Sequence, residues 1–382
     1  MSRYRWTILA VGTAAQASYS AVFLGIPVLA PELRREYGLD LTQIGVVLAA
    51  VSIGSVVTLL PWGLLTDRVG ERIVLSTGLA LAGLALAGAA TTSEYVPLVV
   101  LLVVAGGAGA SVNAASGRAV MGWFLASERG FALGIRQTAL PIGGAAAALA
   151  LPPIAHVGGT RAGLLVLAGA CVAAAAAGAV ALRDAPESDE RLSHVGHPLR
   201  DGRLWRLAGG SGLLVCAQMT ILAFAVLFLH EVRGLSTAAA AGVFAGMQLL
   251  GAALRIAAGR WSDRVRARIG PLLRLSLALS VSLAVSGALT TAPLAVFLPA
   301  FVVAGALAQS WNGLSFTAAA ELAGRRRAGV ALGFQQTSLA VGSAVMPPVF
   351  ALLVESSSWG VAFGLAAALP LAGAGLFRRI PV

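Results

Sequence analysis

The sequence predicts an all-α membrane protein of twelve transmembrane helices, laid out as two related halves of six. Three observations carry that prediction. Of its 382 residues, 58% are hydrophobic and 11% charged, so most of the chain is unsuited to water. A short charged stretch wedged between apolar runs, Gly63-Leu64-Leu65-Thr66-Asp67-Arg68-Val69-Gly70-Glu71-Arg72, returns as Gly259-Arg260-Trp261-Ser262-Asp263-Arg264-Val265-Arg266-Ala267-Arg268. A second echo relates Glu128-Arg129-Gly130-Phe131-Ala132-Leu133-Gly134-Ile135-Arg136-Gln137-Thr138 to Arg327-Ala328-Gly329-Val330-Ala331-Leu332-Gly333-Phe334-Gln335-Gln336-Thr337, and Asn113 meets Asn312 at the same interval. Repetition of one charged turn is what a duplicated membrane protein shows when both halves cross the bilayer in the same direction.

Trp6 to Ala30 is the first span, long enough to cross a hydrocarbon layer about 30 Å thick. It is too long for a cleaved signal peptide and lacks a small-residue cleavage site, so it is expected to stay. Pro31 to Asp40 reads as a charged loop. The remaining spans of the first half are Leu41–Leu65, Ile73–Ala90, Val96–Phe124, Phe131–Pro153 and Arg161–Leu182. Arg183 to Arg203 holds five acids, four arginines and two prolines, which makes it a solvated linker between a domain over 1–182 and a domain over 204–382. The second half repeats the plan with Leu204–Leu229, Thr237–Trp261, Ile269–Leu289, Leu294–Leu322, Ala328–Val354 and Trp359–Phe377. The 46 glycines and many alanines suit helices that pack backbone to backbone, because lipid supplies no hydrophobic drive between them.

Arginine placement sets the orientation. With the amino terminus cytoplasmic, only Arg34, Arg35, Arg161 and Arg233 fall outside, whereas both termini, the two charged turns, the linker and Arg325-Arg326-Arg327 lie inside. The net charge of +11 is therefore a topology signal satisfied by an anionic lipid bilayer, and no nucleic-acid partner is expected. Cys171 and Cys216 sit in apolar runs, and His156, His194, His197 and His230 lack ligand company, so no metal and no cofactor are expected. An enzyme has no nucleophile, metal set or phosphate loop to stand on.

The Gly-x-Leu-x-Asp-Arg-x-Gly-x-Arg stretch after the second of twelve helices, echoed after the eighth, resembles the signature loop of the major facilitator superfamily, over essentially the whole chain. That resemblance implies two six-helix bundles that rock to expose a central cavity alternately to each side. It implies a gating role for Gly63, Asp67, Arg68, Gly70 and Arg72 and for Gly259, Asp263 and Arg264. Physically, such charges can bridge to acids or helix ends in an inner gate, or merely end helices at the interface. The second copy carries Arg266 in place of Gly70, so its turn is expected to be looser.

Substrate choice is sought in polar groups at membrane depth. Three arginines lie inside spans, Arg118, Arg136 and Arg255, with no evident buried carboxylate to balance them. Unless they snorkel to the cytoplasmic surface, such a cavity suits an anion that completes the charge pair itself. Gly117-Arg118-Ala119-Val120-Met121-Gly122-Trp123-Phe124 resembles the fourth-helix segment of anion:cation symporters. Arg255-Ile256-Ala257-Ala258-Gly259 is similar in placement to the eighth-helix arginine of nitrate/nitrite and oxalate:formate transporters. Leu59 stands where nitrate transporters carry a matching arginine, which disfavours nitrate. Neutral candidates are Gln16, Tyr19 and Ser20 on one face of the first helix, with Asn113, Gln218, Gln309, Trp311 and Asn312. Gln335 faces Arg136 across the repeat, and asymmetry is where a ligand would be read.

The sequence thus points to a multi-pass, monomeric secondary transporter of the cytoplasmic membrane that moves a small organic anion, together with a coupled ion or a counter-substrate. Three rivals stay open: an exporter of drugs or hydrophobic compounds, a carrier of nitrate or another inorganic anion, and a membrane sensor that no longer transports.

Overall fold

A computed structural model describes residues 4–124, 128–183, 201–323 and 328–380. The expected linker lies largely outside the described residues, as does Arg325-Arg326-Arg327. Among the described residues there is no strand. Eleven helices among those residues are long and apolar enough to cross a bilayer. They are α1 (Tyr4–Val28), α2 (Leu41–Val69), α3 (Glu71–Ala89), α4 (Tyr95–Trp123), α5 (Gly134–Ala181) and α6 (Gly202–Glu231), then α7 (Thr237–Arg264), α8 (Ile269–Ala288), α9 (Leu294–Ala323), α10 (Val330–Ser356) and α11 (Trp359–Arg378). Helix α5 is two crossing segments joined at Gly159, whose φ of 67° and ψ of −172° are non-helical, and this division gives the twelve expected spans. Glu36 makes the joint: its carboxylate accepts the Thr160 backbone N–H at 3.1 Å and the Thr160 hydroxyl at 2.5 Å, capping the second segment.

The chain forms two compact units, one of residues 1–40 and 46–193 and one of residues 41–45 and 194–382. Within the first, α2 and α4 cross at bare backbone. A Cβ on Gly54 would lie 1.9 Å from the Val103 carbonyl oxygen, and one on Gly106 would lie 2.1 Å from that of Val51. Only glycine permits that approach. The second unit is held at one end by Phe224, Phe228, Phe297, Phe301, Phe350, Trp359 and Phe363, whose rings pack tilted or edge-on, with Phe297 stacked on Phe301, at centroid spacings near 5 to 6 Å. Outward-facing residues such as Val57, Leu60, Leu84 and Val96 are mostly exposed, as lipid-facing positions should be.

Several local expectations change. Ala30–Tyr37 is a short helix, not a loop, because Pro31 suits a first turn and Gly38 closes the last one at φ 63°, its N–H returning to the Arg34 carbonyl. The first charged stretch is helical through Val69, so Asp67 and Arg68 stand on α2; only Gly70, at φ 85°, leaves the helix. The second turn is not looser. Arg266 takes a left-handed φ of 50°, and the backbone closes with Arg266 N–H on the Asp263 carbonyl and Ala267 N–H on the Ser262 carbonyl, both at 3.2 Å. Helix α6 starts two residues before the expected Leu204, because Asp201 caps it and accepts the Arg203 N–H at 2.8 Å. The hydrogen-bonded Arg203 side chain holds the Asp201 carboxyl below its usual range.

Among the described residues five helices are interrupted within their span: α4 at Ala110, α5 at Thr138, α6 at Ala223–Phe224, α9 at Trp311 and α11 at Ala367. Such breaks leave carbonyls that other groups can use. At the first, the Gly107 carbonyl accepts from both the Thr58 hydroxyl and Trp62 Nε1 at 2.7 Å.

Candidate functional site

In the first unit the polar residues converge on Arg136, near the start of α5. Its Nε donates to Ser116 Oγ at 2.8 Å and its Nη2 to Gln16 Oε1 at 2.8 Å, with the Asn113 carbonyl at 3.5 Å. The Ser116 hydroxyl is turned away by its own bond to the Val112 carbonyl, so its oxygen presents a lone pair to the guanidinium. Every one of these partners is neutral, and among the described residues no carboxylate pairs with Arg136. The side chain is 8% exposed, so it does not snorkel. A buried cation held only by neutral acceptors keeps its full charge without compensation.

Arg118 behaves differently. It pairs with Asp67 and, through Nε at 2.9 Å, with Glu71, whose side chain is 4% exposed. The expectation that no carboxylate balances it is therefore corrected. The physical reason is that the charged stretch continues as helix, which carries Asp67 toward α4, while Glu71 opens α3 beside it. Glu71 was within the quoted signature but was not picked out; its place next to Gly70 at a helix start was the available signal. Tyr19 is engaged by other partners. Its hydroxyl meets Ser55 Oγ at 2.5 Å and donates to the Gly106 carbonyl at 3.1 Å, stapling α1 to α2 and α4, while Gln16 alone on that face reaches Arg136.

In the second unit Arg255 on α7 donates through Nε to the Gln309 carbonyl at 3.0 Å and has no carboxylate partner among the described residues. Gln309 reaches the Met247 carbonyl at 3.5 Å, and Asn312 donates to Gln218 Oε1 at 3.3 Å. The break at Trp311 thus sends Gln309 and Asn312 to different partners, although the sequence put them on one face. Among the described residues, buried Trp311 has no acceptor for its Nε1–H, and Gln248, which sequence reasoning passed over, is fully buried with neither amide atom bonded. Gln335 donates to Ser315 Oγ at 2.5 Å. At the charged end, Asp263 pairs with Arg268. Arg268 also holds Glu321 at 3.0 Å and Ser262 Oγ at 2.9 Å.

The comparisons agree with this architecture. The sequence profile described as "Major Facilitator Superfamily" matches residues 11–347. An uncharacterized MFS-type transporter of Mycobacterium tuberculosis is 35% identical over 372 residues, covering 96% of this chain and 83% of the relative. The probable sulfoacetate transporter SauU of Cupriavidus necator is 27% identical over 380 residues, covering 92% and 88%. Among solved structures, a bacterial homolog of the human lysosomal transporter Spinster aligns at a TM-score of 0.84 over 100% of this chain and 97% of its own, with 13% identity. The doubled six-helix plan, the repeated Asp-Arg stretch and a profile match over most of the sequence together make this chain a member of the Major Facilitator Superfamily, a membrane transporter and not an enzyme.

Proposed function

We propose that this transporter carries a small organic anion across the cytoplasmic membrane, exposing its binding residues alternately to the two sides. The observation that supports this reading most is Arg136, buried and held by Ser116, Gln16 and a backbone carbonyl with no acid beside it. A guanidinium so placed is costly until an anion arrives, and its binding energy then selects negative solutes. Arg255 adds a second cation in the other unit, partly buried and bonded to the Gln309 carbonyl with no carboxylate partner among the described residues. The sulfoacetate transporter among the relatives is consistent with a carboxylate or sulfonate substrate. Exchange of anions, or entry of protons carried on the substrate, fits a chain in which no acid among the described residues pairs with either arginine. The Arg118–Asp67–Glu71 and Arg268–Asp263–Glu321 groups are proposed to steady one conformational state, with both termini cytoplasmic.

The test is a thermal-stabilisation screen of purified protein against small carboxylates, small sulfonates and lipophilic cations, followed by uptake in proteoliposomes. Stabilisation by anions, lost in Arg136→Gln, is expected. Stabilisation by lipophilic cations alone would replace this reading with drug export.

A further inference from the structure

Around Arg136 each residue can be compared with its counterpart 199 positions on (312 − 113 = 199), an interval that carries Gly12, packed against Ser116, to Ser211, packed against Ser315. Two hydrogen bonds are equivalent: Arg136 to Ser116, and Gln335 to Ser315, each spanning 20 residues. What surrounds them is not. In the second half Ser211 bonds Ser315 Oγ at 2.6 Å, so a hydroxyl from α6 completes that serine. In the first half the counterpart is Gly12, where a Cβ would only touch Ser116 Cβ at 3.5 Å, and no hydroxyl competes for Ser116. One turn on, Gln16 stands where the second half has Val215. Beside the guanidinium, Gly117 replaces Phe316, and a Cβ there would lie 3.9 Å from Nη1. The differences are therefore coordinated. Arginine comes with an added amide acceptor, a cleared serine and an absent side chain, whereas glutamine comes with a hydroxyl, a valine and a phenylalanine.

The first-half set leaves the guanidinium in a defined state. Ser116 takes Nε, and Gln16 with the Asn113 carbonyl takes Nη2, while Nη1 has no acceptor among the described residues. Gln16 on α1 and Ser116 on α4 grip one edge of a planar fork that extends from α5, which fixes the direction in which the remaining N–H groups point. A neutral amide does this without cancelling the charge. A carboxylate at the same place would grip as well and neutralise it.

Resting on the anion reading above, we infer that Gln16 is the positioning residue that aims Arg136 at the substrate's carboxylate or sulfonate. The coordinated exchange of Gly12, Gln16, Gly117 and Arg136 for Ser211, Val215, Phe316 and Gln335 makes this position charge-reading in the first half and neutral in the second. The anion is met at the Nη1 end, where Gly117 leaves room for an oxyanion group.

The distinguishing variant is Gln16→Glu in the full-length transporter, with sulfoacetate, glycolate and malonate as probes and thermal stabilisation and equilibrium binding as readouts. The new carboxylate pairs with Arg136, so unliganded protein is expected to melt at or above the wild-type temperature. Anion affinity is expected to fall roughly tenfold to a hundredfold, the range for losing a charge-assisted hydrogen bond. A residue with only a packing role would not separate these two readouts. Gln16→Val removes the grip without adding charge and is expected to weaken binding while Arg136 stays cationic; it replaces the glutamate variant should that one not yield folded protein. If the wild type binds a probe and the Gln16 variants bind it equally well, the positioning role is overturned and the anion reading survives. If no probe binds the wild type, the anion reading itself fails and takes this inference with it.

Discussion

Arg118 Nε lies 2.9 Å from Glu71, a carboxylate whose side chain is 4% exposed, and this pairing gives Arg118 an acid partner that Arg136 and Arg255 do not have among the described residues. The structure thus sorts three arginines that look alike in the sequence. One is balanced by two acids, and two are held by neutral groups.

Removing Arg118 strands a buried acid. Arg118→Gln is expected to lower stability by about 1–2 kcal/mol, less than a fully buried pair would cost because Arg118 is 42% exposed. Adding Glu71→Gln should recover part of that loss. Thermal unfolding of the two single variants and the double variant measures the coupling, and strict additivity would contradict the pairing.

Gly70 sits at φ 85°, where a side chain is strained. Gly70→Ala is expected to destabilise by about 1–3 kcal/mol. Arg266→Gly should change stability by less than about 1 kcal/mol, because relief of its left-handed φ is offset by the freedom glycine gains when unfolded. Denaturation in one detergent compares them directly.

The α2–α4 crossing admits no Cβ. Gly54→Ala would bring a methyl to 1.9 Å from the Val103 carbonyl oxygen, against backbone that cannot step aside like a side chain. Loss of folded yield, read by size-exclusion chromatography, is expected; Gly63→Ala, with nothing near its Cβ, serves as the tolerated control.

No acid and no histidine hydrogen-bonds to Arg136 or Arg255 among the described residues. Binding of a sulfonate, ionised throughout, should therefore be flat between about pH 6 and pH 8, a range in which only histidine or a perturbed acid would titrate. Equilibrium binding at both values checks this. A steep pH dependence would require a titrating group coupled to the site.

Much was legible in the sequence, and for reasons that can be named. Lipid demands long uninterrupted apolar runs, so the spans were written in composition and length; duplication left the same turn twice, so the halves and their relation were written in an interval. Gln16, Arg136 and Gln335 stood out because polar groups are rare there. Which of them meet could not be read off. Tyr19 and Gln16 share a face of α1, yet one turns to Ser55 and the other to Arg136, since their partners come from different helices.

The sequence by itself determined the class of molecule, the crossing segments and the short list of cations within spans, because each follows from the solvent a segment must live in. Only the tertiary structure decided which cation is balanced. Arg118 gains two acids because α2 runs on through Asp67 and α3 begins at Glu71, whereas the side chains that meet Arg136 among the described residues are the neutral Gln16 and Ser116. Charge compensation depends on contacts a few ångströms long between distant parts of the chain, and no local pattern encodes them.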